Sequence, residues 1–228
     1  MKTTWLHLDS GPGAPAFNMA FDDALLVHAA AIGAPVLRFY GWTEPAATFG
    51  YFQKIADIEA ATPLRPLIRR PTGGGLVPHN ADWTYSLIVP PAHPWYELRA
   101  EGSYERMHQW LQAAFARLGL ATDLAPCCRK EIPGQCFAGY EKHDLLHLGR
   151  KLAGAAQRRN KLGLLIQGSI QPPPAGCTRE DFWRAMIQAG EEFTGEVTTP
   201  FEPDGLLLAE AKKQAVARYE TDAHNRRR

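Results

Sequence analysis

The chain has 228 residues, 45% hydrophobic and 21% charged, with a formal net charge of +1. This is ordinary globular composition, enough to bury a sizeable core, and the near-neutral balance excludes a global field that would draw in nucleic acid or an anionic membrane. No apolar run reaches the length of a membrane span. The four cysteines contain no CxxC pair and follow no secretory segment, so the expectation is a soluble, reduced, cytoplasmic protein with free thiols.

Residues 4–9 alternate and predict an opening strand, ended by Gly11-Pro12-Gly13. Residues 16–32 predict a helix, with Phe17, Phe21, Ala24 and Leu25 at helical spacing; Gly33 and Pro35 stop it. A buried strand over 36–42, a turn at Glu44-Pro45, a third strand over 46–52 and a short helix over 54–61 follow. Residues 76–79 and 84–89 predict a strand and its return strand around a turn at Asn80-Ala81-Asp82. Residues 103–118 predict an amphipathic helix with Tyr104, Met107, Leu111, Ala114 and Leu118 on one face and Gly119 as its cap. Residues 121–139 hold two prolines and three of the cysteines, and predict an irregular functional loop.

Residues 143–148, 151–157 and 162–170 then predict a three-strand meander, turning tightly at Gly149-Arg150. The rest reads as helices over 179–188 and 203–219, the last with Leu207, Leu208, Ala211, Ala215 and Tyr219 on one face. Short hairpins among helices, without strict βαβ alternation, predict an α+β fold: a mixed, largely antiparallel sheet with helices on one main face. Residues 1–228 are expected to form one catalytic domain that includes the helices of 178–228.

Three features point to chemistry. In Arg69-Arg70-Pro71-Thr72-Gly73-Gly74-Gly75, three glycines suit backbone that turns with positive φ or lies against a ligand, and two arginines suit forked hydrogen bonds to an acidic or carbonyl group; a plain turn with solvated arginines fits the same residues. Lys151 precedes the small residues Ala153, Gly154, Ala155 and Ala156, which leave space for a slot; an exposed lysine at a hairpin edge fits equally. Cys136 lies in the irregular loop, where a neighbouring cation would raise its thiolate fraction, although single cysteines are more often inert. His79, just after the glycines, is the histidine best placed for a site. His143 and His147 are expected on one strand face, with no further ligand spaced to complete a metal site with them.

Taken together, Arg69-Arg70-x-Thr72-Gly73-Gly74-Gly75-x-Val77-x-His79, Tyr85-Ser86-Leu87, Cys136-Phe137, Gly149-Arg150-Lys151-Leu152-Ala153-Gly154-x-Ala156-Gln157 and Gln167-Gly168-Ser169-Ile170 resemble the biotin/lipoate protein ligase and octanoyltransferase family. Trp42-x-x-Pro45 and Gly50-x-x-Gln53 fit its early elements. The resemblance implies a catalytic domain like that of class II tRNA synthetases and biotin synthetase. It also implies attachment of an octanoyl or lipoyl group to a lysine of a lipoyl domain of 2-oxoacid dehydrogenases or of the glycine cleavage H protein. On that likeness Cys136 and Lys151 are the catalytic residues, and Arg69, Arg70, Thr72, Gly73, Gly74, Gly75, His79, Gly154, Ala156 and Gln157 bind substrate.

Cys136-Phe137 matches the cysteine-dependent octanoyltransferases, which take octanoate from acyl carrier protein through an enzyme thioester and need no cofactor. That branch has Gln-His-Gly-Ser where this chain has Gln167-Gly168-Ser169. An ATP-dependent lipoate ligase, using ATP and Mg through an acyl-adenylate, is the alternative, and a non-catalytic acyl or carrier-domain binder is a third. Arg158, Arg159 and Lys161 are expected to guide an acidic carrier domain.

Overall fold

In the computed structural model, residues 4–132 and 134–227 are described; residues 1–3, 133 and 228 of the expected 1–228 unit lie outside them. The elements in chain order are β1 (Thr4–Gly13), α1 (Pro15–Ile32), β2 (Val36–Trp42), β3 (Ala46–Phe49), α2 (Ile55–Ala61), β4 (Leu67–Arg69), β5 (Val77–His79) and β6 (Trp83–Val89). Then come α3 (Pro94–Glu97), α4 (Ala100–Arg117), β7 (Asp123–Leu124), β8 (Arg129–Lys130), β9 (Gly139–Tyr140), β10 (Leu145–His147), β11 (Arg150–Asn160) and β12 (Gly163–Ile170). The chain continues through α5 (Arg179–Thr194), β13 (Val197–Pro200), α6 (Gly205–Gln214), which runs on as a π-helical turn over Ala215–Tyr219, and α7 (Asp222–Asn225).

Eight strands form one mixed sheet in the order β13-β1-β2-β6-β12-β11-β10-β7, and β4-β3-β5 form a smaller one. Within the large sheet only β1 pairs in parallel, with β2 and β13. The α+β fold with a largely antiparallel mixed sheet is as expected from the sequence, and the meander β10-β11-β12 forms. Gly149 turns it with φ of 74°.

Helices cover both faces of the large sheet, however, and not one main face. Leu164 and Ile166 of β12, with Leu87 and Val89 of β6, pack under α4 and α5. Leu165 and Ile88 point the other way, into α1 and α6. The central strands read as continuous apolar runs, which leaves neither face fit for water. α1 is accordingly buried on nearly all sides, between the sheet and α6.

Two further expectations fail. β5 and β6 are not hairpin partners: β5 pairs with β3 of the small sheet, and β6 with β2 and β12 of the large one. Asp82, in the connection, is drawn inward and accepts hydrogen bonds from Thr84 Oγ1 at 2.9 Å and Ser169 Oγ at 2.7 Å while pairing with His79 Nδ1 at 2.8 Å. His143 precedes β10 with φ of 68° and meets Glu101 and Glu105, whereas His147 Nδ1 reaches the Ala121 carbonyl. The two histidines therefore share no strand face.

Candidate active site

The glycine loop joins β4 to β5 and crosses the gap between the two sheets. Gly74 has φ of 82°, and Gly50 lies so close to it that a side chain there would strike the Gly74 carbonyl. Tyr51 N–H donates to Thr72 O at 2.9 Å. Gln53 ties this wall to the cysteine loop: its Oε1 accepts from Gly50 N–H at 2.9 Å and its Nε2 donates to Gly134 O at 3.0 Å.

The segment before Cys136 lies along the end of the glycine loop like a short strand. Leu76 N–H donates to Gly134 O at 2.7 Å, and Cys136 N–H donates to Leu76 O at 3.1 Å. That register aims the thiol at the glycines, where Gly75 N–H donates to Cys136 Sγ at 3.0 Å. Gly74 faces the same sulfur, with Ala156 of β11 opposite.

Lys151 comes from β11, on the far side of the cysteine. Its Nζ donates to Cys136 O at 2.8 Å, pairs with Asp144 Oδ2 at 2.6 Å and sits 4.8 Å from the centroid of the Phe137 ring. Asp144 is fully buried and also accepts from Tyr104 Oη and from Glu141 N–H. Burial, followed by the Asp144 charge, holds the Tyr104 phenol well above its ordinary pKa. An ammonium has three donors, and these contacts leave one for a ligand.

Behind these groups runs an apolar pocket of about 450 Å³, open mouth included, lined by Met19, Tyr40, Trp42, Val77, Phe137 and Ala156 among others. Its floor is polar and threaded by hydrogen bonds. Gln167 accepts from Thr72 Oγ1 at 2.8 Å and donates to Asp22 Oδ2 at 2.7 Å, and Asp22 is itself paired with buried Arg38 at 2.7 Å. His79 stacks on Trp42 at 3.9 Å and bridges Thr48 Oγ1 to Asp82. Burial pushes the Asp82 carboxyl up, but His79 and the hydroxyls of Ser169 and Thr84 outweigh it and hold the carboxyl below the usual range. A second hollow, lined by Gln53, Gly74, Gly75, Tyr104 and Ile132, meets the first at Cys136, Lys151 and Ala155.

Cys136, Lys151, Arg70, His79, Gly154 and Ala156 thus line one pocket. Gly74 and Gly75 edge it at the sulfur, Thr72 steadies its floor, and Gly73 O takes both the Nε and an Nη of Arg70. Gly154 leaves room for Lys151 itself: a Cβ there would meet Lys151 Nζ at 2.6 Å.

Two expected binding residues are placed elsewhere. Arg69 is fully buried with its guanidinium donating to the carbonyls of Tyr51, Gln53, His224 and Asn225. Gln157 bonds Ser103 and the Ala100 carbonyl at the start of α4. Of the cations expected to guide docking, Arg158 pairs with Asp23 and Arg159 is taken by Tyr96 O and Ser103. Asp144 and Tyr104 were missed because the first reads as one strand residue and the second as one position of a helix face. Among the described residues no three His, Cys, Asp or Glu side chains gather to hold a metal ion.

The model of the lipoyl protein ligase A/B catalytic domain matches residues 14–174. The chain belongs to that family. It is 39% identical over 182 residues to the octanoyltransferase LipM of Bacillus subtilis (strain 168), which covers 74% of this chain and 66% of that protein. It is 37% identical over 184 residues to the octanoyltransferase LipM of Staphylococcus aureus (strain NCTC 8325 / PS 47), covering 75% and 66%. The chain spans just under two thirds of the length of these curated relatives. In fold it is similar to a lipoate-protein ligase A bound with ATP (TM-score 0.79, 20% identity, 99% of both chains). A bi-partite lipoate protein ligase from Thermoplasma acidophilum is also similar (TM-score 0.72, 19% identity, 99% and 96%). Of the motifs singled out in the sequence, Arg70, Val77, His79, Cys136-Phe137, Lys151, Gly154, Ala156 and Gln167-Gly168-Ser169 line this pocket, whereas Tyr85-Ser86-Leu87 is buried within the large sheet. No helix among the described residues is long and apolar enough to cross a membrane.

Proposed function

We propose that the chain transfers an octanoyl group from acyl carrier protein, through a thioester on Cys136, to a lysine of a lipoyl domain or of the glycine cleavage H protein. The observation that supports this most is the cysteine itself: a thiol hydrogen-bonded by a loop N–H, with an ammonium beside it, at the mouth of an apolar slot.

The Cys136 sulfur attacks the thioester carbonyl carbon, a C–S bond to the enzyme forms, and the C–S bond to the carrier breaks with the carrier sulfur taking a proton. The acceptor amine then attacks, a C–N bond forms, the C–S bond to Cys136 breaks, and the amine's proton passes to solvent as the sulfur is released. Lys151 and the glycine-loop N–H groups supply fixed donors where the carbonyl oxygen gathers charge. Burying the chain contributes about 0.8 kcal/mol per methylene, roughly 5 kcal/mol in all before entropy costs. One thioester is exchanged for another, so neither ATP nor metal is required. Residues 1–228 act as one catalytic domain, working in the cytoplasm.

Incubation with octanoyl carrier protein followed by intact-mass measurement tests this. The expected result is one octanoyl added to the wild type and none to Cys136→Ser. An unmodified wild type, or a full adduct on the serine variant, refutes it; lipoate-dependent ATP–pyrophosphate exchange would favour an adenylate-forming ligase instead.

A further inference from the structure

Two cations flank Cys136, and they are held differently. Lys151 is ion-paired to Asp144, and its contact with the cysteine is to the backbone carbonyl. Arg70 is 4% exposed and, among the described residues, donates to Gly73 O at 3.0 and 2.5 Å, Thr72 Oγ1 at 3.2 Å and Thr48 Oγ1 at 3.5 Å, none of them a carboxylate. No carboxylate of the described residues pairs with it, and the side chains of Cys136 and Tyr40 are the titratable groups that face it. A buried cation without an anion is costly. Its Nη2 lies 2.7 Å, and Cys136 Sγ 3.7 Å, from the single point where a Gly74 side chain would begin. Glycine at 74 is what allows guanidinium and sulfur to face one another.

We infer that the Arg70 guanidinium, with the Gly75 N–H, holds the Cys136 sulfur as its thiolate, and that Lys151 serves the carbonyl oxygen instead. The thiol proton goes to water and the charge left on sulfur completes the arginine's environment. Burial lowers the Arg70 pKa, and the neighbouring Cys136 side chain opposes that shift. The other titratable or charged groups around the thiol are Tyr40 and His79 in the pocket, Tyr104, Tyr140 and Glu141 in the second hollow, and the Lys151–Asp144 pair.

This rests on the proposed role of the thiol but is tested apart from it, because alkylation needs no carrier protein. The rate of iodoacetamide modification of Cys136, followed by peptide mass spectrometry across pH, reports its thiolate fraction; Cys127, Cys128 and Cys177 are separate peptides or are replaced by serine. Arg70→Gln is expected to move the midpoint up by about one to three pH units, the effect of removing an opposite charge at close range. Arg70→Lys restores part of that, and Lys151→Met leaves the midpoint within a few tenths. A midpoint unmoved in Arg70→Gln, or raised as far by Lys151→Met, overturns the assignment. Should Arg70→Gln not fold, the Lys151→Met arm decides alone: a rise of a unit or more overturns it, an unmoved midpoint supports it. Loss of octanoyl adduct with an intact alkylation profile would instead strike the proposed reaction and leave this assignment standing.

Discussion

Gly154→Ala is the smallest change that reaches the proposed chemistry. A methyl at this position would lie 2.5 Å from Lys151 Cε, 2.6 Å from its Nζ and 2.9 Å from Asp144 Oδ1. Carbon atoms pack at about 3.5–4.0 Å, so the ammonium must retreat by about 1 Å. The two nearest atoms are the far end of a flexible side chain, which makes retreat of the lysine the cheap response; the overpacking, buried Asp144 included, should cost about 1–3 kcal/mol of stability. Misplacing a catalytic group by 1 Å costs about 100-fold in rate, or about 2.7 kcal/mol of barrier. Single-turnover formation of the octanoyl adduct, with urea unfolding alongside, measures both. Gly154→Ala in a Lys151→Ala background should lose part of its stability cost, because the two closest clashing atoms are gone and only Asp144 Oδ1 at 2.9 Å remains. A variant that transfers at the wild-type rate would refute the placement of Lys151 as an oxygen-binding group.

The buried ring of His108 has its pKa lowered by desolvation from 6.5 to about 4. The unfolded chain therefore takes up a proton below pH 6.5 that the folded chain refuses, so this group costs stability as pH falls from 6.5 towards 4. His108→Phe should flatten that limb by roughly 3 kcal/mol in urea titrations; an unchanged slope would show that the ring titrates freely. Arg69→Met should destabilise the chain by about 3–5 kcal/mol through four stranded carbonyls and a lost grip on α7, with faster proteolysis near residue 224. If it weakened only substrate binding, the structural reading of Arg69 would be wrong. Gln157→Ala should leave the KM for octanoyl carrier protein unchanged while costing about 1 kcal/mol of stability at the α4 contact; a raised KM would return Gln157 to the site.

Local rules carried the sequence a long way. Helical spacing in 16–32, the cap at Gly33, the turn at Gly149 and the meander up to Ile170 are decided among residues near one another in the chain, and these elements form; α4 caps at Leu118, with Gly119 just after it at φ of 74°. The chemistry-bearing stretches were equally readable, because three glycines and a lysine followed by alanines are expensive in a packed core unless something must approach them.

Whatever required a partner far away in sequence stayed hidden. Arg69 and Arg70 are neighbours of one type, yet one is spent on the carbonyls of α7 and the other faces Cys136, since adjacent residues leaving a strand point to opposite sides. Helices on both faces, β5 and β6 divided between two sheets, and Asp144 beneath Lys151 are likewise settled by packing across the sheet. Composition and periodicity specify which side chains must be buried or must turn. Which distant group each one meets is chosen only when the whole core closes, because burial is non-directional while the hydrogen bonds and ion pairs that finish the site are not.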